Sequence, residues 1–102
     1  MFGLVARFDL ADAEAARRFD ALTSATCEQI KSSEPGTLLY LVNTVSAEPL
    51  ARIFYELYID RDSFEAHEST AHVKHFLAER EQYITNLRVE FIASTNGKPT
   101  LR

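Results

Sequence analysis

Apolar and polar residues alternate along Phe2–Leu10, with Phe2, Leu4, Ala6 and Phe8 set against Gly3, Val5, Arg7 and Asp9, and this predicts a first strand. The period then changes. Phe19, Leu22, Thr23, Thr26 and Ile30 fall on one helix face, after Asp12 as a candidate N-cap and a run of strong helix formers over residues 13–18. That helix is expected to run to about Ser32. Glu34-Pro35-Gly36 ends it, because proline cannot continue a helix and glycine takes unusual backbone angles.

Thr37–Val45 reads as a second strand, apolar on both faces, and residues 46–49 as the turn of a hairpin. The returning strand, residues 52–60, places Arg52, Phe54, Glu56 and Tyr58 on one face and Ile53, Tyr55, Leu57 and Ile59 on the other. Asp62 and Glu65 have the spacing of a capping box for a short helix. A longer helix is expected after Ser69-Thr70, since Val73, Phe76, Leu77, Arg80, Ile84 and Leu87 keep helical period, with the stem of Arg80 lying along apolar surface. Residues 87–93 alternate again as a last strand, and residues 94–102 form a tail with little to bury.

The order β-α-β-β-α-β is that of an α+β, ferredoxin-like domain over residues 1–93, with both helices on one face of a four-stranded antiparallel sheet. Such a sheet should be polar on its uncovered side. Here residues 37–45 place Leu38, Tyr40 and Val42 on one face and Leu39 and Leu41 on the other, and residues 52–60 put Phe54 and Tyr58 opposite Ile53, Tyr55, Leu57 and Ile59. Two apolar faces need two covers, and the expected second cover is another copy of the chain, in a homodimer packed sheet to sheet.

Composition narrows the classes further. The 102 residues are 46% hydrophobic and 25% charged, ordinary for one small globular domain. A net charge of −4 without a Lys/Arg run argues against nucleic acid as a partner. No apolar stretch approaches a membrane span and no basic leader precedes the first strand, so no membrane role is expected. The single cysteine, Cys27, has no internal partner and suits a cytoplasmic location.

Three segments together resemble the antibiotic biosynthesis monooxygenase family: residues 34–40 (Glu-Pro-Gly-Thr-Leu-Leu-Tyr), residues 52–58 (Arg-Ile-Phe-Tyr-Glu-Leu-Tyr) and residues 63–76, which carry His67, His72 and His75. The resemblance implies a dimeric α/β-barrel and an oxidation of quinols or anthrone-like polyketides by molecular oxygen with no bound cofactor. The family also contains a degrader of a phosphorylated signalling molecule, haem-degrading members and many without assigned substrates. Members often carry Trp where this chain has Tyr58. Haem-degrading members use an Asn near the end of the first strand and a Trp near the short helix. The chain reads Ala6-Arg7-Phe8 and Ala66-His67-Glu68 there, so haem is not the expected substrate.

His67 and His72 are the candidate bases, since an imidazole titrates near neutrality and suits proton removal from a hydroquinone or anthrone. The competing reading packs His67 into the short helix and turns His72 to solvent. His75 is expected at the surface. His72, His75 and Glu79 can share a helix face, but no dedicated metal motif is present and no metal is expected. Arg52 and Glu56 either pair across one strand face or orient a substrate. Phe54 and Tyr58 on that face are core residues or walls of an aromatic-ligand cavity, with Tyr40 and Tyr83 weaker candidates. The expected function is a cofactor-independent monooxygenase acting on a small aromatic quinol, anthrone or polyketide. The alternatives are a ligand-binding or stress-related dimer without turnover, and an isomerase or degrader of a small polar metabolite. Polar lining would favour the last, and a cavity filled by side chains the dimer without turnover.

Overall fold

The computed structural model describes residues 1–98. The strands are β1 (Phe2–Leu10), β2 (Thr37–Val45), β3 (Glu48–Tyr58) and β4 (Ile84–Ile92). The helices are α1 (Ala13–Ser33), α2 (Arg61–Ser69) and α3 (Ala71–Glu79), followed by a 3-10 turn at Arg80–Gln82. The sheet runs β2-β3-β1-β4 and every pairing is antiparallel. This is the ferredoxin-like α+β arrangement, with the second helical segment split in two. No helix among the described residues is long and apolar enough to cross a membrane.

The helix α1 starts where Asp12 accepts a hydrogen bond from Ala15 N at 2.8 Å, which satisfies one of the free amides of the first turn. Its buried face carries Ala15, Ala16, Phe19, Thr23, Thr26 and Ile30. Phe8 of β1, Phe19 of α1, Phe54 of β3 and Phe76 of α3 meet at the centre, with Phe8 and Phe54 ring centroids 4.6 Å apart. Full burial of each such ring contributes about 1.5–3 kcal/mol, so this cluster holds α1 and α3 to the same face of the sheet.

Four local expectations need correction. The hairpin loop is only Ser46 and Ala47, because Glu48 already pairs with Val45, and Ala47 takes a positive φ of 63° to close it. The cap of α2 is Asp60, whose carboxylate accepts from Ser63 N at 2.8 Å, in place of a box from Asp62 to Glu65. Gly36 has no positive φ. It is required for space, since a Cβ there would lie 2.5 Å from Ser63 Oγ. Finally, α3 is no longer than α2 and ends at Glu79, so Ile84 and Leu87 belong to β4. A register shift opposite Asp9 and Leu10 pairs Leu87 with Phe8 and Ile84 with Leu10, and both pack against the core. A bulge thus imitates the three-residue spacing of a helix.

The face of β3 bearing Arg52, Phe54, Glu56 and Tyr58 turns toward the helices and is buried. The opposite face carries Ile53, Tyr55 and Leu57 beside Leu39 and Leu41 of β2. Leu41 and Tyr55 there are 47% and 44% exposed, so a largely apolar sheet surface is uncovered in the single chain. Of the tail, residues 94–98 form no helix or strand, and the rest lies outside the described residues.

Candidate active site

Where α1 ends, the chain must turn sharply from helix to sheet, and the last residue before Pro35 is Glu34. Its amide bonds Ile30 O at 3.1 Å and its side chain, 5% exposed, reaches inward. Oε1 accepts from Thr37 Oγ1 at 2.7 Å and lies 2.6 Å from His67 Nδ1, while Oε2 meets His72 Nε2. One carboxylate therefore joins the end of α1, the start of β2, α2 and the start of α3. Thr70 fixes the spacing of the two histidines, because it closes α2 through His67 O and caps α3 through Val73 N.

Burial opposes ionisation of Glu34, but the hydrogen bonds from His67, Thr37 and His72 outweigh it and hold the carboxyl below its ordinary value. An ionised Glu34 accepts only, so each facing ring nitrogen must carry a proton. In neutral His67 the lone pair then sits on Nε2. This tautomer follows from the hydrogen-bond pattern.

His67 forms part of the wall of a cavity of about 250 Å³ between the sheet and the α2–α3 pair. Most of the wall is apolar: Leu4, Ala6 and Phe8 of β1, Tyr40 of β2, Phe64, Val73 and Leu77 of the helices, and Val89 and Phe91 of β4. Its polar groups are Glu56, His67, Glu68 and Arg80. Val89 and Phe91 are 41% and 59% exposed, so the cavity opens along β4, the strand least covered by helix.

Glu56 accepts from Tyr58 OH at 2.5 Å. Burial pushes the Glu56 carboxyl up, against the opposing effect of that bond and of nearby His67. Burial, reinforced by Glu56, likewise raises the Tyr58 phenol, and burial raises that of Tyr40 well above its ordinary value. Both stay protonated near neutrality and act as hydrogen-bonding or packing groups.

The six predicted site residues separate into three groups. His67 and Glu56 face the cavity. His72 and Tyr58 stand behind them, each bonded to a carboxylate, so His72 is turned to Glu34 and not to solvent. Arg52 and Phe54 lie elsewhere. Phe54 is core, and Arg52 does not pair with Glu56. Its guanidinium binds both oxygens of Asp20 on α1 at 2.9 Å and the carbonyls of Pro49 and Ala51 at 2.9 and 2.8 Å. His75 is exposed, as expected. Among the described residues no group of three His, Cys, Asp or Glu side chains is placed to hold a metal. Cys27 is half-buried on α1, and burial raises its thiol.

Two residues, Glu34 behind His67 and Arg80 in the cavity wall, were not anticipated as parts of the site. Glu34 read as part of a helix break, and Arg80 as a packing stem. Only the acidic residue immediately before Pro-Gly, in the segment that carried the family resemblance, marked Glu34.

The family model of antibiotic biosynthesis monooxygenases matches residues 1–79. The chain belongs to the antibiotic biosynthesis monooxygenase family. Solved structures agree on the fold. A proposed antibiotic biosynthesis monooxygenase of Caulobacter crescentus superposes with a TM-score of 0.84 at 24% identity, covering 93% of this chain and 90% of that one. One from Bacteroides thetaiotaomicron gives 0.85 at 23%, covering 99% and 93%. One from Deinococcus radiodurans gives 0.84 at 18%, covering 100% of both chains. No curated protein matches the chain. Family membership supports a monooxygenase-like function in general terms.

Proposed function

We propose that the cavity oxidises a small aromatic quinol, anthrone or related polyketide with molecular oxygen and no bound cofactor. His67 Nε2 takes a proton from the phenol or from the activated ring carbon. Glu34 is the positioning residue, holding the ring in the tautomer that leaves Nε2 free and stabilising the imidazolium that forms. The substrate anion passes one electron to oxygen, and the radical pair joins to a peroxide. For an anthrone, proton return and loss of water then convert CH2 and O2 into C=O and H2O. Buried Glu56 and Tyr58 supply a fixed hydrogen-bonding pair at the wall.

The observation that carries this reading is the Glu34–His67 pair at the edge of an aromatic-lined cavity. Apolar lining favours an aromatic substrate over a small polar metabolite. The test is oxygen uptake by purified protein with naphthohydroquinones and anthrones, beside His67→Ala. Saturable uptake that the substitution abolishes supports the reading; uptake unchanged in His67→Ala refutes the assigned base. Binding without uptake would support the ligand-binding alternative. We further propose that the uncovered apolar sheet face packs on a second copy, which sedimentation as a monomer at micromolar concentration would refute.

A further inference from the structure

Arg80 follows α3 with its guanidinium over two core rings, 5.4 Å from the Phe8 centroid and 5.5 Å from that of Phe76. Its side chain is 17% exposed, yet Nε is buried without a hydrogen-bond partner among the described residues. The carboxylate within 4 Å of it among the described residues is that of exposed Glu81, at 3.9 Å, too far for a hydrogen bond. Arg52 makes the contrast, since it spends four hydrogen bonds on Asp20 and two carbonyls. Glu56, at the same cavity as Arg80, is bonded to Tyr58.

A buried guanidinium presents donors in a planar fork that matches carboxylate geometry, and leaving them unmet costs free energy. Structural arginines avoid that cost by finding acceptors in the protein, as Arg52 does. Arg80 instead lines, with its Nε unpartnered among the described residues, a cavity walled by Phe8, Tyr40, Phe64 and Phe91, whose other polar groups are Glu56, His67 and Glu68. Rings of that kind accept a planar aromatic body, and the cation supplies one charged anchor.

We propose that the ligand of this cavity is an aromatic acid: a planar ring system carrying an ionised oxygen, either a carboxylate or an acidic phenol, which Arg80 binds while the ring faces His67. The proposal rests on the reading of this cavity as the substrate site, and it narrows the substrate class. Arg80 then acts in binding, and it lowers the energy of any anion that His67 generates on the same ring.

Equilibrium binding under nitrogen tests this without turnover. The probes are 1-hydroxy-2-naphthoate and 2-naphthol, which share a ring system and differ in charge at pH 7. The naphthoate is expected to bind about tenfold or more tightly than the naphthol, as a charge-assisted contact requires. Arg80→Gln should remove that preference by weakening naphthoate binding far more than naphthol binding, while Arg80→Lys should restore part of it. A naphthoate that bound no better than naphthol to the natural protein would overturn the proposal, as would failure of both to bind. That comparison needs no variant to fold. Oxygen uptake is a separate readout. An inactive protein that prefers the naphthoate would sink the monooxygenase reading alone. Oxygen uptake with hydroquinones beside naphthoate binding that is equally tight in the natural protein and Arg80→Gln would sink this inference alone.

Discussion

Replacing Glu34 by Gln changes one atom of a buried carboxylate and should be felt in both stability and chemistry. Three hydrogen bonds converge on Glu34, from Thr37 and His67 on Oε1 and from His72 on Oε2. A glutamine can keep its carbonyl oxygen toward Thr37 and His67, and its amide then faces His72, which must change tautomer to accept. The loss is about one charge-assisted hydrogen bond and the charge behind the others, on the order of 2 kcal/mol. At ~4–8 °C per kcal/mol for a domain of this size, Tm should fall by about 8–16 °C at pH 7. Thermal unfolding followed by circular dichroism at matched protein concentration measures it.

The pH dependence of that difference is the sharper test. Glu34 is held below the ordinary carboxylate value in the folded state. Its contribution is therefore complete above the unfolded value, about 4.3, and is lost as pH falls through the lower folded one. Glu56 is shifted the other way, so it removes stability as pH rises past 4.3, but it is present in both proteins and cancels. The gap between the natural protein and Glu34→Gln should be widest near neutrality and close in acid. Equal Tm values at pH 7, or a gap that does not change with pH, would refute the role given to Glu34.

Three further substitutions test the fold around the site. Gly36→Ala should lower stability by about 1–3 kcal/mol in urea unfolding, because the added Cβ meets Ser63 in the first turn of α2. It should also weaken catalysis by displacing His67. Ala47→Gly should raise stability by about 0.5–1 kcal/mol, since the left-handed φ of 63° suits glycine; an unchanged or lower urea midpoint would contradict that. Arg52→Met should destabilise by about 2–4 kcal/mol through loss of the tie between α1 and β3, with KM for an aromatic substrate unchanged, because Arg52 lies outside the cavity. A raised KM at unchanged stability would return Arg52 to the site.

The strand β1 and the helix α1 were legible because their periods are clean and their burial is one-sided. Alternation in residues 2–10 and the stripe from Phe19 to Ile30 each describe one face of one element. Legibility failed where two elements decide together. The bulge opposite Asp9 and Leu10 gave Ile84 and Leu87 a helical spacing inside a strand. Arg52 and Glu56 share a face, but Asp20, on a helix and far along the chain, outcompeted Glu56 for the guanidinium.

The site divides in the same way. His67 and Glu56 were readable from their segment, one a titratable ring beside the strand and the other a carboxylate on its inward face. Glu34 and Arg80 owe their roles to packing: Glu34 reaches residues 33 and 38 positions away, and Arg80 matters because its Nε finds no hydrogen-bond partner among the described residues. Local periodicity holds no information about such partners.

The most direct test of the central claim is the fate of oxygen when purified protein converts an anthrone under oxygen-18 gas. The expected result is saturable turnover in which each quinone product gains one heavy oxygen atom, one heavy oxygen appears as water, and His67→Ala abolishes the conversion. Product without heavy oxygen, accompanied by hydrogen peroxide, would show an oxidase in place of a monooxygenase. Labelled product formed equally well by His67→Ala would contradict the site.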